Sequence, residues 1–325
     1  MTERELAALE RRIARIYKEA EKDLQKKIRE YFSSFVERDK KQFALMKQGK
    51  ITPKQYRQWR KNQIARGERF EALRDAIAER YTNANEVAVA YINDETPGIY
   101  SLNRNYAAYT IEKVHGNVGF NIWVERTVKR LVVEQPDLMP YYPEKRALKR
   151  GIDLAWGKRQ ITRQVTAGII QGESIGKIAN RLTQKIPSMN RASAIRTART
   201  AVTAAQNGGR MDSYQAAEKM GIHVRKRWIA TKDNRTRHEH AMVDGQTVDG
   251  NQPFTVGGYP MMYPGDPSAP GHLVYNCRCT MRTVEKEGIE AEPRMMRVKD
   301  PNTGRNVLVS EMTYKEWETW KLRGG

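Results

Sequence analysis

Apolar residues recur every third or fourth position near the start of the chain: Leu6, Leu9, Ile13, Ile16, Ala20, Leu24, Ile28, Tyr31 and Phe35, with Arg, Lys and Glu elsewhere. That spacing predicts a long amphipathic helix. Its seam has two readings: it packs on its own domain, or it forms a coiled coil with a partner or a second copy. Gly49-Lys50-Ile51-Thr52-Pro53 predicts the end of that helix. Thr52 as N-cap and Pro53 in the first turn start another. This second helix is expected to run to about Tyr91, with Tyr56, Trp59, Phe70, Leu73, Ile77 and Tyr81 on its buried side. Asp94-Glu95-Thr96-Pro97-Gly98 reads as a turn, followed by helices near 100–114 and 119–134; Pro136, Pro140 and Pro143 then mark a loop.

From about 144 to 221 the period is helical again. Gly172 is expected to stop one helix, and Ser174 to cap the next, which carries Ile175, Ile178 and Leu182. Pro187-Ser188-Met189-Asn190 reads as a break. The helix beyond it places Ile195, Ala198, Val202 and Ala205 inward, with Arg196 and Arg199 sharing a face. After Gly221 the period changes to two. His223 to Ala230 alternates as a strand does, and Leu273-Val274-Tyr275 reads as a second short strand. Pro and Gly crowd residues 245–271. The tail predicts a hairpin around Val298–Arg305 and an amphipathic piece with Met312, Tyr314, Trp317 and Trp320.

These patterns predict an α+β chain: a mostly α-helical N-terminal two thirds, then a small, loop-rich α+β C-terminal module with short strands. Four segments follow: a helical N-terminal region (1–143), a basic helical region (144–221), a His/Cys module (222–288) and a tail (289–325).

Charge adds a direction to this outline. The 325 residues hold 58 Lys and Arg against 38 Asp and Glu, a net of +20. Residues 1–200 carry +17 of it, and residues 151–200 have nine basic side chains against only Asp153 and Glu173. A polyanionic partner is expected, whether nucleic acid, an acidic membrane or an acidic protein surface; with double-stranded DNA the contact would be non-specific and through its backbone. Arg181, Lys185, Arg191, Arg196 and Arg199 are the candidate contacts; the alternative is a solvated helical face. Few aromatics lie among these residues, which argues against base stacking. No run approaches about 18 apolar residues, so no membrane anchor is expected. The charged N-terminus reads as no secretory signal, and two cysteines one residue apart make no disulfide framework. A reducing cytoplasm is the expected place of assembly.

The chemistry concentrates in two short motifs. Cys277 and Cys279 are the only cysteines, and His238 and His240 stand about forty residues upstream. In a strand, residues i and i+2 share a face, so each pair would present two donors to one side. Four such ligands would make a tetrahedral, closed zinc site that adds folding energy to a loop-rich module. His240, Cys277 and Cys279 lead this candidate set, with His238, Asp266 and His272 as options for the fourth place. The other reading is that the cysteines are small buried hydrophobes and the histidines ordinary polar residues. A metal-dependent nuclease or hydrolase using the His/Cys/Asp cluster is the competing functional class. No Walker loop or HExxH is present.

Several pieces in order carry a resemblance: Ala198-Arg199-Thr200; the run from Trp228 through Asp233-Asn234-Arg235-Thr236-Arg237 to His240; Asp244-Gly245; Pro264-Gly265-Asp266-Pro267; and Asn276-Cys277-Arg278-Cys279. The stretch from about 150 to 284 resembles the head morphogenesis, or minor head, proteins of tailed bacteriophages, the phage Mu F-like family. The resemblance implies structural roles for Trp228, Asp233, Arg235, Arg237, Asp244, Gly245, Asn276 and Arg278. Where the family often has an acid after the helical Arg-Thr, this chain has Ala201. Some relatives carry an added ADP-ribosyltransferase-type domain, and none is expected to fit in the residues after Cys279. The implied function is a non-catalytic minor component of the virion, in the capsid interior near the portal. Its implied partners are the portal protein and capsid or scaffold proteins, and its implied work is head morphogenesis with DNA packaging or ejection.

Overall fold

The computed structural model describes residues 2–139, 153–284, 296–299, 306–309 and 312–325. The first seam folds as helix α1 (Thr2–Ser33), followed by α2 (Val36–Lys47). Leu9, Ile13, Ala20, Leu24 and Ile28 are each at most 3% exposed. The seam is therefore covered within its own chain, the first of its two readings. Ile16 is half-buried, and Tyr17 takes its place in the buried row, its hydroxyl donating to Asn85 Oδ1.

Helix α3 (Pro53–Ile64) starts as its cap predicts: Thr52 Oγ1 accepts from the Gln55 amide at 3.2 Å, and Gln55 Oε1 accepts from the Thr52 amide at 2.8 Å. It does not run to Tyr91. Gly67 takes a φ of +86°, and α4 (Glu68–His115) begins there.

The expected turn at Asp94–Gly98 is absent, because α4 continues through Pro97. An interior proline costs about 3 kcal/mol. Ile92, Ile99 and Tyr100, all buried, each contribute about 1.5–3 kcal/mol of burial on the same stretch. The Thr96 hydroxyl also donates to the Ile92 carbonyl at 3.0 Å, holding the turn before the proline. Burial outweighs the break. The helix expected from 119 starts only at α5 (Glu125–Glu134), and a short 3-10 turn at Pro136–Leu138 follows. Pro140 and Pro143 lie outside the described residues.

Helix α6 (Leu154–Ile170) ends before Gly172, whose φ is +70°. Helix α7 (Ile175–Asn180) is capped by Ser174. Pro187 does not break the chain. α7 runs through a π-turn at Arg181–Lys185 directly into α8 (Ile186–Lys219), which carries Pro187 as its second residue. Ala194, Ala198, Val202 and Ala205 are buried, while Ile195 is half-buried.

The C-terminal part contains β1 (Arg225–Ile229), α9 (His238–Met242), β2 (Thr247–Asp249), β3 (Phe254–Val256), β4 (Tyr259–Met261), α10 (Gly271–Val274) and β5 (Thr280–Val284). β1 lies between β2 and β5, antiparallel to both, with Trp228 opposite Met281. β3 and β4 form a hairpin. Leu273–Tyr275 is therefore a helical turn and not the expected strand. β6 (Met296–Lys299) and β7 (Asn306–Val309) pair antiparallel around the expected hairpin, and α11 (Tyr314–Leu322) closes the chain. No helix among the described residues is long and apolar enough to cross a membrane.

The chain divides into two units. One, residues 7–91 and 144–196, is all helix among its described residues, with a core that includes Ile13, Tyr17, Phe70, Ile77, Ile161 and Val165. The other, residues 1–6, 92–143 and 197–325, holds the strands together with the C-terminal stretches of α4 and α8. Its core includes Tyr214, Trp228, Phe254, Met281 and Trp317.

Lys226, on β1 of this second unit, is fully buried. Its Nζ donates to the Met262 carbonyl at 2.8 Å and lies 5.3 Å from the Phe254 ring centre. Burial pulls its pKa down to about 8 from 10.5, against a smaller opposing effect of Asp266. The charged amine is penalised in the folded state and not in the unfolded one, so the penalty is complete below pH 8 and fades as the pH climbs towards 10. Urea midpoints should rise between pH 7.5 and 9.5, and Lys226→Met should flatten that rise. An equal rise in the variant would show that another group titrates.

Candidate metal centre and the motif around it

β1 delivers Trp228 to the core, and the chain then turns through residues 230–237 into α9. Asp233 organises this turn. Its carboxylate accepts from the Arg235 amide at 3.0 Å and from both terminal nitrogens of Arg278 at 2.5 and 2.7 Å. The Arg278 hydrogen bonds hold Asp233 well below the usual carboxylate range. Arg235 is exposed, its guanidinium 3.8 Å from Asp233. Arg237 donates to the Tyr275 carbonyl. The Asp-x-Arg-Thr-Arg run is thus a loop fastened to the Asn-Cys-Arg-Cys segment through Arg278 and Arg237. Asp244 accepts from the Ala230 amide at 2.9 Å and pairs with Lys232 at 3.1 Å. Gly245, at a φ of +81°, returns its amide to the Trp228 carbonyl.

Helix α8 grips the cysteine segment from one side. Asn276 adopts the left-handed conformation, φ 59°, and its amide donates to Thr200 Oγ1 at 2.8 Å. Arg199 reaches the Asn276 side chain at 3.5 Å, and Thr203 Oγ1 donates to the Cys277 carbonyl at 2.6 Å. Asn207 is fully buried; its Nδ2 donates to the Cys279 carbonyl at 3.2 Å and its Oδ1 accepts from the Met281 amide at 3.2 Å. Thr200, Thr203 and Asn207 recur at three and four residues, one face of a helix. The sequence motifs point to Arg199 and Thr200 but miss Thr203 and Asn207, although their helical spacing is the signal that could have found them. Ala201 is buried, a packing position.

His240, Cys277 and Cys279 converge, all buried. His240 Nδ1 lies 3.4 Å from Cys279 Sγ and 3.6 Å from Cys277 Sγ. Zinc bonds of about 2.3 Å to sulfur and about 2.1 Å to nitrogen place tetrahedral N and S ligands about 3.6 Å apart. These donors match that edge. The Cys279 amide donates to Cys277 Sγ at 3.4 Å, and the Thr231 backbone hydrogen-bonds to Cys279. The hydrogen bond between the thiols, with help from His240, pulls the Cys279 pKa down; the same bond, with burial, pushes that of Cys277 up.

The structure leaves the other candidate ligands apart from this cluster. The segment 238–242 is helical and not extended, so residues i and i+2 point to nearly opposite sides. His240 turns inward and His238 is exposed. His272 is exposed, edge-on to the Tyr259 ring at 6.3 Å. Asp266 is buried but braces its own loop, accepting from the Met262 amide at 2.7 Å and from the Ser268 amide and hydroxyl at 2.9 and 2.6 Å.

The candidate DNA contacts divide. Arg181 is locked to Glu173 at 2.5 Å and donates to Gln171, so its charge is already matched within the helical unit. Arg199 is half-buried beside Asn276. Arg191 and Arg196 are exposed on α8, and the side chain of Lys185 lies outside the described residues.

A family model described as phage Mu protein F like protein matches residues 159–282. The chain is 28% identical over 265 residues to the minor head protein GP7 of Bacillus phage SPP1, covering 79% of this chain and 80% of that one. It is 32% identical over 167 residues to an NAD(+)--arginine ADP-ribosyltransferase, EFV, of Enterococcus faecalis; 51% of this chain is covered. The chain spans about a third, 32%, of that transferase. No solved structure matches the chain.

Proposed function

We propose that this chain, similar to phage minor head proteins, is itself one and works in the head as a non-catalytic binding part, seated at the portal with a basic helical face towards packaged DNA. Its place as a head protein makes other head components its partners and the virion its location. The portal, the capsid or scaffold proteins, and a role in packaging or ejection are the finer part of the reading. The match to the SPP1 minor head protein over four fifths of that protein's length carries it. The DNA part is supported by the nine basic residues against two acids in 151–200, with Arg191 and Arg196 exposed on α8. The nuclease reading draws no support from the cluster: its three donors are buried, and among the described residues no carboxylate joins them.

The test is binding of the full chain to duplex DNA across a salt series. Affinity should fall steeply with salt and vary little with sequence. Removing one basic side chain that neutralises a phosphate should lower the slope of log K against log salt by about 0.9, so Arg191→Gln with Arg196→Gln should lower it by about 1.8. An unchanged slope would remove these two residues from the interface. Failure to co-purify with the portal ring when both are produced together would overturn the portal assignment. Metal-supplemented DNA cleavage, lost on His240→Ala with the fold retained, would overturn the non-catalytic reading.

A further inference from the structure

We infer that His240, Cys277 and Cys279 bind one zinc ion, which ties α9 to the cysteine segment held by α8. Three observations carry this beyond the shared burial of small side chains. Among the described residues the His240 Nδ1 faces only the two sulfurs, with no oxygen or nitrogen partner. An ordinary core histidine satisfies its ring nitrogens through polar neighbours. The N···S separations of 3.4 and 3.6 Å are those of adjacent corners around a tetrahedral zinc. The sulfurs also take part in backbone hydrogen bonds: the Cys279 amide donates to Cys277 Sγ at 3.4 Å, and the Thr231 backbone bonds to Cys279.

The donor chemistry selects the metal. Two thiolates and an imidazole suit zinc and bind poorly to the hard cations magnesium and calcium, which take oxygen ligands. Among the described residues no fourth His, Cys, Asp or Glu joins the group. The mechanical consequence follows from the hydrogen bonds already described. Thr200, Thr203 and Asn207 fix the Asn276–Cys279 backbone from α8, and the ion would fix the same segment from α9. Loops between short strands would gain a cross-link that their small apolar core does not supply.

The experiment uses the full chain. Metal analysis after purification without chelator should give one zinc per chain. Exchange for cobalt should give thiolate charge-transfer bands and the visible bands of a four-coordinate ion. Cys277→Ser and His240→Ala should each weaken zinc binding by more than about a hundredfold, since even removing an outer-shell partner costs 10–100-fold. Should either variant fail to fold, the wild-type chain stripped by chelator and retitrated with cobalt still decides. A spectrum saturating at one equivalent, with a raised melting temperature, supports the site. Zinc-free protein whose melting is unmoved by zinc and which gives no cobalt spectrum overturns it. So does a spectrum that persists in the Cys277→Ser, Cys279→Ser double variant.

Discussion

Glu112→Ala should destabilise the strand-bearing unit by about 3–5 kcal/mol and release the C-terminal helix, because it strands a buried lysine. Glu112 is fully buried on α4. One oxygen accepts from the amides of Val118, Gly119 and Phe120 at 3.0–3.2 Å and from Lys321 Nζ at 3.1 Å. The other accepts from the Trp317 indole at 2.7 Å. The carboxylate thus shapes the loop after α4 and also holds α11, whose Trp317 and Lys321 are both buried. Alanine removes the charge partner of Lys321 and, among the described residues, leaves Asn117 Oδ1, 2.8 Å away, as its polar contact. Urea midpoints measure the loss, and limited proteolysis should cleave the tail before α11 faster than in the wild type. Glu112→Gln combined with Lys321→Met should recover part of the stability, since neither charge is then buried. A single variant with unchanged midpoint and cleavage rate would show that α11 is held by its aromatic contacts alone.

Two adjacent glycines on α8 give the second large effect, with opposite outcomes. Exposed Gly→Ala in a helix gains about 1 kcal/mol. At Gly209 the added Cβ would lie 2.4 Å from the Tyr100 carbonyl oxygen and 3.1 Å from the Arg104 amide. Both are backbone atoms of α4 and cannot rotate away. The two helices would have to part, loosening the Arg104–Asp212 pair at 2.6 Å and the Ser213 hydroxyl bond to the Arg104 carbonyl at 2.7 Å. Gly209→Ala should therefore cost about 2–3 kcal/mol, the upper part of the range for forced overpacking. At Gly208 the nearest atom is 3.5 Å away, on the Tyr100 ring, an ordinary contact. Gly208→Ala should leave the melting temperature within a few degrees of the wild type. Equal effects at the two positions would mean that α4 and α8 do not meet as closely as described.

The motif residues from Trp228 to Cys279 point to the family without the fold, because they fasten one another. Asp233 needs Arg278, and Asn276 needs Thr200, so each leaves a trace at a fixed distance along the chain. The candidate centre is legible in the sequence only in part. An i, i+2 strand argument singles out Cys277 and Cys279, yet they lie in an irregular stretch between left-handed Asn276 and β5. The same argument treats His238 and His240 as equals, but in the helix that forms there they point to nearly opposite sides. Nothing in the sequence around Glu112 marks it as the site of five hydrogen bonds, since its partners Trp317 and Lys321 stand about two hundred residues away.

What the sequence determined by itself is local: the α1 seam, the Thr52 and Ser174 caps, the stop at Gly172, the β1 alternation and the basic character of 151–200. Each depends on neighbours within a turn or two, where periodicity and capping act. Tertiary structure alone decided that α4 passes through Pro97, that His240 faces the cysteines, and that Arg181 is spent on Glu173. In those places a local preference of about 1–3 kcal/mol competed with burial and pairing of similar size from distant segments, and the distant terms won.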